Sequence, residues 1–408
     1  MKRVAIVGAG ITGVTSAYAL ARRGFEVTVF EQHRYAAMET SFANGGQLSA
    51  SNAEVWNSTA TVFKGLRWML TKDAPLLLNL NPDWHKYSWL GEFLRQIRNY
   101  RANTIDTVRL ATMAREHLFK IAEDESIDFD LERRGILHFY QSRSQFEAAT
   151  KVNTMLCEGG LERYAVTPQE IRAIEPTLHG DFYGGYFTPS DSTGDIHKFT
   201  RGLAHACERH GVTFRYDTTV RNIRRTDDGS FAVDARIGTL EFGDDFDYVV
   251  ICAGTKSRQF ANMLGDRVNV YPVKGYSITV CLEDEESRAN APWVSLLDES
   301  AKVVTSRLGA DRFRVAGTAE INGFNRDIRV TRIAPLVEWS RQHFPHMSTV
   351  RVIPWAGLRP MMPSMLPRVG AGSKAGAFYN TGHGHLGWTL SAATAQVLAD
   401  CLERSEVA

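Results

Sequence analysis

The feature that most constrains this chain is a glycine-rich turn that directly follows a short apolar run. Residues 3–7 are mostly β-branched and apolar, as in a strand buried on both faces of a parallel sheet. The turn reads Gly8-Ala9-Gly10-Ile11-Thr12-Gly13, and apolar residues then recur at helical spacing as far as Arg22-Arg23-Gly24. This order of strand, turn and helix predicts a dinucleotide-binding βαβ unit.

Each glycine of the turn has a mechanical role in such a unit. Gly8 allows the tight turn, Gly10 lets the backbone approach a pyrophosphate, and Gly13 lets the helix pack against the strand. The phosphates would face the N-terminus of the helix, where Ile11 and Thr12 lie. An ordinary glycine-bearing turn is the alternative interpretation, because the motif by itself is weakly specific.

An acidic residue at the end of the next strand narrows the choice of dinucleotide. Residues 26–30 predict a second strand, and Glu31 follows it, 18 residues after Gly13. A carboxylate accepts hydrogen bonds from ribose hydroxyls but repels a 2′-phosphate, which leaves FAD or NAD and excludes NADP. We assign Glu31 and its neighbour Gln32 to the ribose end of the site.

Two further loops favour FAD over NAD. Residues 40–47 form a loop of small and polar residues with two consecutive glycines, and such a loop can place backbone N–H groups against a flat heteroaromatic ring. Residues 379–389 form a glycine-dense turn that opens an Ala-rich amphipathic helix, and this predicts a second anion pocket near a flavin edge. The residues assigned to the two loops are Ser41, Asn44, Gly45, Gly46, Gln47, Leu48, Gly382, His383, Gly384, His385, Leu386 and Gly387.

At this point the motifs resemble a known family, the D-amino acid dehydrogenases. These belong to the wider D-amino acid oxidase, glycine oxidase and sarcosine oxidase class of flavoproteins. The similar segments run from residue 3 to residue 402 in the same order. They comprise Gly8 to Gly13, Glu31, Ser41 to Gln47, Pro272 to Ser277, Gly357 to Met361 and Asn380 to Gly384.

The resemblance implies the fold and the cofactor. We expect an α/β protein with a Rossmann-like FAD-binding domain, interleaved with an α+β substrate domain built on an antiparallel sheet. The expected division is 1–81, 191–271 and 351–408 for the FAD domain, and 82–190 and 272–350 for the substrate domain. Val220, Ala253, Gly254 and Gly357 join the FAD-binding residues on the same ground, although Val220 also suits an ordinary apolar strand position.

The resemblance also implies a carboxylate-binding arginine. Arg359 lies in a Gly-Leu-Arg-Pro segment, interpreted as a turn, and a guanidinium gives a carboxylate two parallel hydrogen bonds. The alternative is a structural arginine that bonds loop carbonyls. Tyr276 would bind the same carboxylate or close the pocket, or else is a half-buried strand aromatic. Lys274 would act near flavin N1 or N5, or else is a solvated lysine.

Two departures from the family pattern fall near the expected site. Ser364 stands where an acid is typical, and His385 where a small hydroxyl residue is usual. His383 and His385 could form part of a metal site, but the sequence has no third ligand near them, so we expect no metal. Both departures bear on substrate preference rather than on reaction class.

The implied reaction is FAD-dependent oxidation of a D-amino acid to its imino acid, which water hydrolyses to a 2-oxo acid and ammonia. Electrons would then pass to a quinone or another acceptor. The alternative is the same chemistry on a secondary amino acid such as sarcosine, D-proline or hydroxyproline, or on glycine. A further alternative is not an enzyme at all: the chain would be a non-catalytic flavin-binding subunit of a larger complex.

Composition excludes other classes of function. Lys plus Arg number 47 against 46 for Asp plus Glu, a balance of +1 without the basic excess typical of nucleic-acid binding. Five widely spaced cysteines, without a C-x-x-C pair, indicate free thiols in a reducing cytosol. We therefore expect a cytoplasmic enzyme with no nucleic-acid partner.

A basic, aromatic segment over residues 62–97 leaves two interpretations open. Its apolar residues would pack on the protein's own core, or would rest on the inner face of the cell membrane and meet a quinone there. No stretch of the sequence reaches the roughly 18 apolar residues needed to cross a bilayer.

Overall fold

The protein is built from both helices and strands, and its strands include long ones of ten or eleven residues. The computed structural model describes residues 1–68 and 76–407. Its helices are α1 (Ile11–Ala21), α2 (Thr59–Trp68), α3 (Trp84–Arg95), α4 (Tyr100–Asp124), α5 (Arg143–Glu158), α6 (Pro168–Ile174), α7 (Ile196–Arg209), α8 (Ser257–Met263), α9 (Glu285–Asn290), α10 (Val330–His343) and α11 (Gly387–Val407), with 3-10 turns at Gln96–Asn99 and Gly254–Lys256.

The strands fall into four sheets within the described part of the chain. They are β1 (Arg3–Val7), β2 (Glu26–Phe30), β3 (Gln47–Leu48), β4 (Leu76–Leu78), β5 (Ile136–Tyr140), β6 (Tyr164–Val166), β7 (Gly184–Thr188), β8 (Ser192–Thr193), β9 (Thr213–Arg215), β10 (Thr218–Arg225), β11 (Phe231–Ile237), β12 (Leu240–Phe246), β13 (Tyr248–Ile251), β14 (Tyr271–Cys281), β15 (Ser295–Asp298), β16 (Val303–Arg307), β17 (Arg312–Ile321), β18 (Val352–Met361), β19 (Arg368–Ala371) and β20 (Ala377–Thr381).

The first sheet, called here the parallel sheet, is built around β1. Its strand order is β19-β20-β13-β1-β2-β9, and all neighbours run parallel except the edge strand β19. Val4 and Ile6 pack on one side with residues of α1, α7 and α11, whereas Ala5 and Val7 pack on the other. Burial on both faces explains why this strand is almost continuously apolar.

A small antiparallel sheet, β10-β11-β12, and helix α8 cover the second face of the parallel sheet. The sequence pattern predicts short strands over 219–225 and 231–237 with a tight turn at 227–229 between them, and the structure forms β10 and β11 there. A two-stranded sheet joins β3 to β8 and ties the 40–47 loop to the start of α7, since Gln47 pairs with Thr193. The architecture confirms the predicted α/β fold.

The third sheet, called here the large sheet, has the order β18-β14-β17-β16-β15-β5-β7-β6, and β4 pairs with β17. The β15–β5 and β17–β4 pairs run parallel, and the remaining pairs are antiparallel. Leu137, Leu296 and Val315 point into a core that also contains Leu336 and Trp339 of α10. Their neighbours one residue along face the opposite way, because side chains alternate along a strand.

Two strands of the large sheet lie outside the segments expected for the substrate domain. The expected division placed 1–81 and 351–408 with the FAD domain, yet β4 pairs with β17 and β18 pairs with β14 along its whole length. The division into domains stays a prediction, and these two strands are where the chain crosses between sheets.

The Gly-Leu-Arg-Pro segment is a strand and not a turn, so this interpretation was wrong. Gly357 pairs with Gly275 and Leu358 with Lys274 in the β14–β18 ladder. Pro360 is tolerated because β18 lies at the edge of the large sheet, where a missing N–H breaks no second ladder. Local glycine and proline signals suggested a turn, but pairing with a distant strand decided the conformation.

The basic, aromatic segment over 62–97 divides between core and surface. Trp89 is 3% exposed and its indole Nε1 donates to the carbonyl of Met361 (2.8 Å), whereas Trp84 is 81% exposed. Lys86, one of the basic residues of this segment, is buried, and its ammonium donates to the carbonyls of Asn79 (2.6 Å) and Asn81. The part of this prediction that concerns 69–75 lies outside the described residues. The described helices include none long and apolar enough to span a bilayer.

Candidate active site

A cavity of about 1050 Å³ is lined by residues of both the parallel sheet and the large sheet. Most of the residues that the sequence assigned to the site line this cavity. They are Gly8, Gly10, Ile11, Thr12, Glu31, Gln32, Ser41, Asn44, Gly45, Gly46, Gln47, Val220, Ala253, Gly254, Tyr276, Gly357, Arg359, Gly382, His383, Gly384, His385, Leu386 and Gly387. Gly13, Leu48 and Lys274 do not line it.

The glycine-rich turn brings α1 unusually close to β1. Gly8 has a φ of +104°, and its N–H donates to the carbonyl of Phe30 (2.8 Å). A β-carbon at Gly13 would lie 1.9 Å from the carbonyl oxygen of Gly8, so any other residue would push the helix away from the strand. Gly13 therefore does not line the cavity itself but allows α1 to pack against β1, so that the N-terminus of α1 points into the cavity.

Glu31 holds the turn against the end of β2. Its side chain is 7% exposed; one carboxylate oxygen accepts from the N–H of Ala9 (2.8 Å) and the other from that of His33 (2.9 Å). Burial raises the pKa of Glu31, and the two backbone hydrogen bonds oppose that rise. Each oxygen keeps a further lone pair, so a ribose hydroxyl could donate to this carboxylate from the cavity.

Ser41 completes the N-terminus of α1. Gly10, which precedes the helix, has no side chain to cap it, and the hydroxyl of Ser41 accepts from the N–H of Ile11 instead (3.0 Å). The 40–47 loop is fastened further along, where Ser306 donates to the carbonyl of Gly45 (2.6 Å). The loop thus contacts α1 at one end and the large sheet at the other.

The glycine-dense turn before α11 carries two neutral histidines. Burial lowers the pKa of His383 to about 3, and burial together with the nearby Arg359 lowers that of His385 to about 4. His383 Nε2 lies 3.0 Å from the Thr394 hydroxyl, and the His385 ring stacks on Trp56 with 4.9 Å between centroids. At neutral pH both imidazoles are uncharged and offer hydrogen bonds without adding charge.

Arg359 lies in the cavity wall, on the edge strand of the large sheet. Its guanidinium rests against the backbone of Gly275, where a β-carbon would come within 2.3 Å of Cζ. It donates from Nη1 to the carbonyl of Thr318 (3.1 Å). Burial lowers the pKa of Arg359 to about 10, so the group is cationic at neutral pH. Within residues 1–68 and 76–407, no carboxylate forms an ion pair with it.

Tyr276 and Lys274 differ in their access to the cavity. Tyr276 lines it, and its hydroxyl donates to the carbonyl of Asp327 (3.3 Å). Lys274 is fully buried behind it, where its ammonium pairs with Glu320 (3.0 Å) and donates to Asn325 (2.7 Å). A lysine with these partners holds strands β14 and β17 together at that point.

The cavity suits the FAD that the resemblance implies. Several buried polar atoms of its wall have no hydrogen-bond partner among the described residues, although such groups are nearly always paired in proteins. They are Gln47 Oε1, Thr318 Oγ1, His383 Nδ1, His385 Nδ1 and Trp388 Nε1. Together with a helix N-terminus and the buried carboxylate of Glu31, these atoms fit a long, polar, partly anionic ligand.

Sequence reasoning missed the part of the wall that the large sheet contributes. His138 and Tyr140 project from β5 into the cavity, and Trp56, Arg163 and Lys302 line it from loops. The two residues of β5 carried a signal, since the sequence pattern predicts a strand over 135–140 and residues at positions i and i+2 of a strand share one face. The loop residues carried none, because distant segments bring them together.

Replacing Glu31 tests the ribose contact. Glu31→Ala removes the acceptor of two backbone N–H groups as well as the ribose acceptor, so we expect FAD to bind about 10-fold more weakly or worse. Glu26→Ala is the matched control, because Glu26 begins the same strand and pairs with Arg3 (3.7 Å) away from the cavity. Flavin absorbance per protein after gel filtration measures retention; an undiminished value for Glu31→Ala would contradict the assignment.

Comparison with known proteins agrees with this geometry. D-amino acid dehydrogenase 3 of Mesorhizobium japonicum is 61% identical over 401 residues, covering 98% of this chain and 96% of that protein. D-amino acid dehydrogenase of Paramagnetospirillum magneticum is 39% identical over 405 residues, covering 98% and 94%. Among solved structures, glycine oxidase from Geobacillus kaustophilus superposes with a TM-score of 0.76 at 21% identity, covering 99% and 95%.

The family model described as FAD dependent oxidoreductase matches residues 3–401. This extent confirms the predicted flavoprotein class and the predicted cofactor, FAD. The chain belongs to the FAD-dependent oxidoreductase family.

Proposed function

We propose that this enzyme oxidises D-amino acids to imino acids, which water hydrolyses to 2-oxo acids and ammonia. The observation that carries the proposal is the Arg359 guanidinium, which faces the cavity without a carboxylate partner among the described residues. Relatives named D-amino acid dehydrogenase support it. Bound FAD supplies the chemistry by accepting a hydride from the substrate's α-carbon.

Arg359 would bind the α-carboxylate of the substrate. A guanidinium donates two parallel hydrogen bonds to a carboxylate, which fixes orientation as well as position. Contact with Gly275 and donation to Thr318 keep the side chain from rotating. Because positioning supplies most of the rate enhancement in such a reaction, a rigid arginine is more useful here than a mobile lysine.

Tyr276 and His385 would flank the bound substrate. Tyr276 donates to Asp327, so its oxygen remains able to accept from a substrate N–H group. His385 stays neutral beside Arg359 and presents Nδ1, which has no protein partner among the described residues. We leave Lys274 out of the proposed catalytic set, since its ammonium is committed to Glu320.

The parallel sheet and its loops would hold FAD, and the large sheet would cover the substrate. The proposed FAD contacts are the cavity-lining residues of the glycine-rich turn, the 40–47 loop and the turn before α11, together with Glu31 and Val220. Val304 and Ala316 of the large sheet line the cavity opposite the 40–47 loop, since a β-carbon at Gly45 would lie within 2.8 Å of Val304. This apolar cover would exclude water from the reacting atoms.

The electron acceptor would be a quinone met at a membrane surface. Several large apolar side chains of the basic, aromatic segment over 62–97 are exposed, among them Phe63 in α2 (72%), Leu80 before α3 (74%) and Trp84 at the start of α3 (81%). Arg95, at the end of α3, is exposed and would complement anionic lipid headgroups. Aromatic side chains beside basic ones suit an interface of this kind.

Anaerobic mixing with a panel of amino acids tests the proposed reaction. We expect D-amino acids to bleach the flavin absorbance within one turnover, and L-enantiomers to leave it unchanged. Sarcosine, D-proline and hydroxyproline belong in the same panel. If secondary amino acids bleach the flavin faster than every primary D-amino acid does, the substrates are secondary amino acids and the proposed substrate class is wrong. If no amine bleaches the flavin, the proposed reaction is excluded.

Replacing Arg359 separates carboxylate binding from flavin binding. Arg359→Ala should raise KM roughly 100-fold, because a bidentate charged contact is lost, while FAD content stays at the wild-type value. The KM of Arg359→Lys should lie between those of wild type and Arg359→Ala, because lysine keeps the positive charge but cannot donate two parallel hydrogen bonds. Arg351→Ala, an exposed arginine just before β18 that pairs with Glu283, is the control. An unchanged KM for Arg359→Ala would remove this residue from the site.

Vesicle binding tests the proposed membrane contact. We expect the holoenzyme to co-sediment with anionic phospholipid vesicles, and Trp84→Ser to reduce the bound fraction several-fold because a large exposed aromatic is lost. Leu240→Ser is the control, an exposed apolar residue (64%) on the small sheet. Equal sedimentation of Trp84→Ser and Leu240→Ser would argue against contact through α3.

A further inference from the structure

Arg163 is a buried cation of the cavity wall for which the proposed function has no use. It lies between α5 and β6, is 7% exposed, and lines the same cavity as Arg359. Its guanidinium sits over the ring of Tyr186, 4.9 Å from the centroid. Within the described ranges, its Nε and Nη2 have no hydrogen-bond partner. Unpaired buried N–H groups are costly, so their presence in a cavity wall points to a ligand that accepts from them.

The groups around Arg163 leave its charge unmatched. Burial raises the pKa of Tyr140 to about 12, and both the charge of Arg163 and a hydrogen bond between the two side chains oppose the rise. This neutral partner leaves Nε and Nη2 of Arg163 without an acceptor among the described residues. The carboxylates that line this part of the cavity already accept from other donors. Glu54 accepts from the hydroxyl of Tyr100 (2.5 Å), and Glu299 pairs with Lys302. In the part of the chain that the structure describes, no ion pair involves Arg163.

A continuous wall of side chains leads from Arg359 towards Arg163. His385 lies close enough to Arg359 for its pKa to be lowered by that charge, and its Nε2 is 3.3 Å from the carbonyl of Asn52. The neighbouring Ser51 hydroxyl lies 2.9 Å from His138 Nε2.

The same wall continues along strand β5. His138 and Tyr140 occupy positions i and i+2 of that strand, so both project to the same side. Tyr140 in turn neighbours Arg163. Arg359 and Arg163 therefore line the same cavity, together with the polar side chains of His385, His138 and Tyr140.

We propose that Arg163 binds a second carboxylate, carried at the end of the substrate's side chain, so that the enzyme prefers dicarboxylic D-amino acids. This inference rests on the proposed function, in which Arg359 holds the α-carboxylate. The oxidised bond is still the α-carbon C–H, and Arg163 sets specificity without taking part in hydride transfer. A guanidinium suits this role because it matches a carboxylate with two parallel N–H donors.

Substrate comparison with the holoenzyme tests the proposal. D-aspartate, D-glutamate and D-2-aminoadipate should each be compared with a neutral partner of equal length, D-asparagine, D-glutamine and D-norleucine. We expect at least one acid to exceed its neutral partner in kcat/KM by about 10-fold or more. Arg163→Met should abolish that preference and leave kcat/KM for the neutral substrates within about 3-fold of wild type. Arg143→Met, an exposed arginine of α5 that pairs with Glu147 (2.7 Å), is the control.

A titration without turnover separates this inference from the proposed reaction. Glutarate and butyrate should perturb the oxidised flavin spectrum, with glutarate binding about 10-fold more tightly in wild type and equally in Arg163→Met. If no D-amino acid reduces the flavin but this difference is found, the proposed function fails and the second carboxylate site stands.

Two results would overturn the inference while leaving the proposed reaction intact. One is equal binding of glutarate and butyrate to the wild-type holoenzyme, a measurement that does not depend on a variant folding. The other is an equal rise in KM for neutral and acidic substrates in Arg163→Met, which would assign Arg163 to the shared α-carboxylate. Arg163→Lys, which keeps the charge, should retain part of the acid preference.

Discussion

The close contact between α1 and β1 is the constraint on which the rest of the structure depends. A β-carbon at Gly13 would lie 1.9 Å from the carbonyl of Gly8, so the helix reaches its position only because no side chain intervenes. Glu31 then fastens the turn by accepting from the N–H of Ala9. These contacts aim a helix N-terminus and a buried carboxylate into one cavity, which suits the phosphate and ribose of FAD.

The other wall of the cavity depends on the long β14–β18 pairing. This ladder places Arg359 beside Gly275, and the missing side chain of that glycine leaves room for the guanidinium. Among residues 1–68 and 76–407 the cation is held by backbone contacts and forms no ion pair with a carboxylate, as the proposed binding of a substrate carboxylate requires. Within the same ladder, Lys274 pairs with Leu358, and its ammonium forms a buried ion pair with Glu320 that ties β14 to β17. Arg359 and Lys274 thus lie on neighbouring strands in different surroundings, the first in the cavity wall and the second in an ion pair behind it.

Sequence reasoning succeeded where one continuous segment carries the information. The order of strand, glycine turn, helix and acidic residue over 3–31 is reproduced by β1, α1 and β2, and residues 231–237 form the strand β11 as predicted. It failed for Gly357 to Pro360, where glycine and proline suggested a turn but pairing with β14 produced a strand. The sequence pattern also predicts a helix over 116–125. That segment is the last part of α4, whose earlier turns contain Thr104 and Thr107, buried residues of low helix propensity.

By itself, the sequence determined the strand, glycine turn, helix and second strand over residues 3–31, because glycine spacing and strand periodicity act between residues that are close along the chain. Tertiary structure alone decided which side chains face each other across the cavity. Arg359 on β18, His138 on β5 and Arg163 in a loop become neighbours of one cavity only when the large sheet closes over the parallel sheet. That closure depends on pairings between residues hundreds of positions apart, and no local pattern records them.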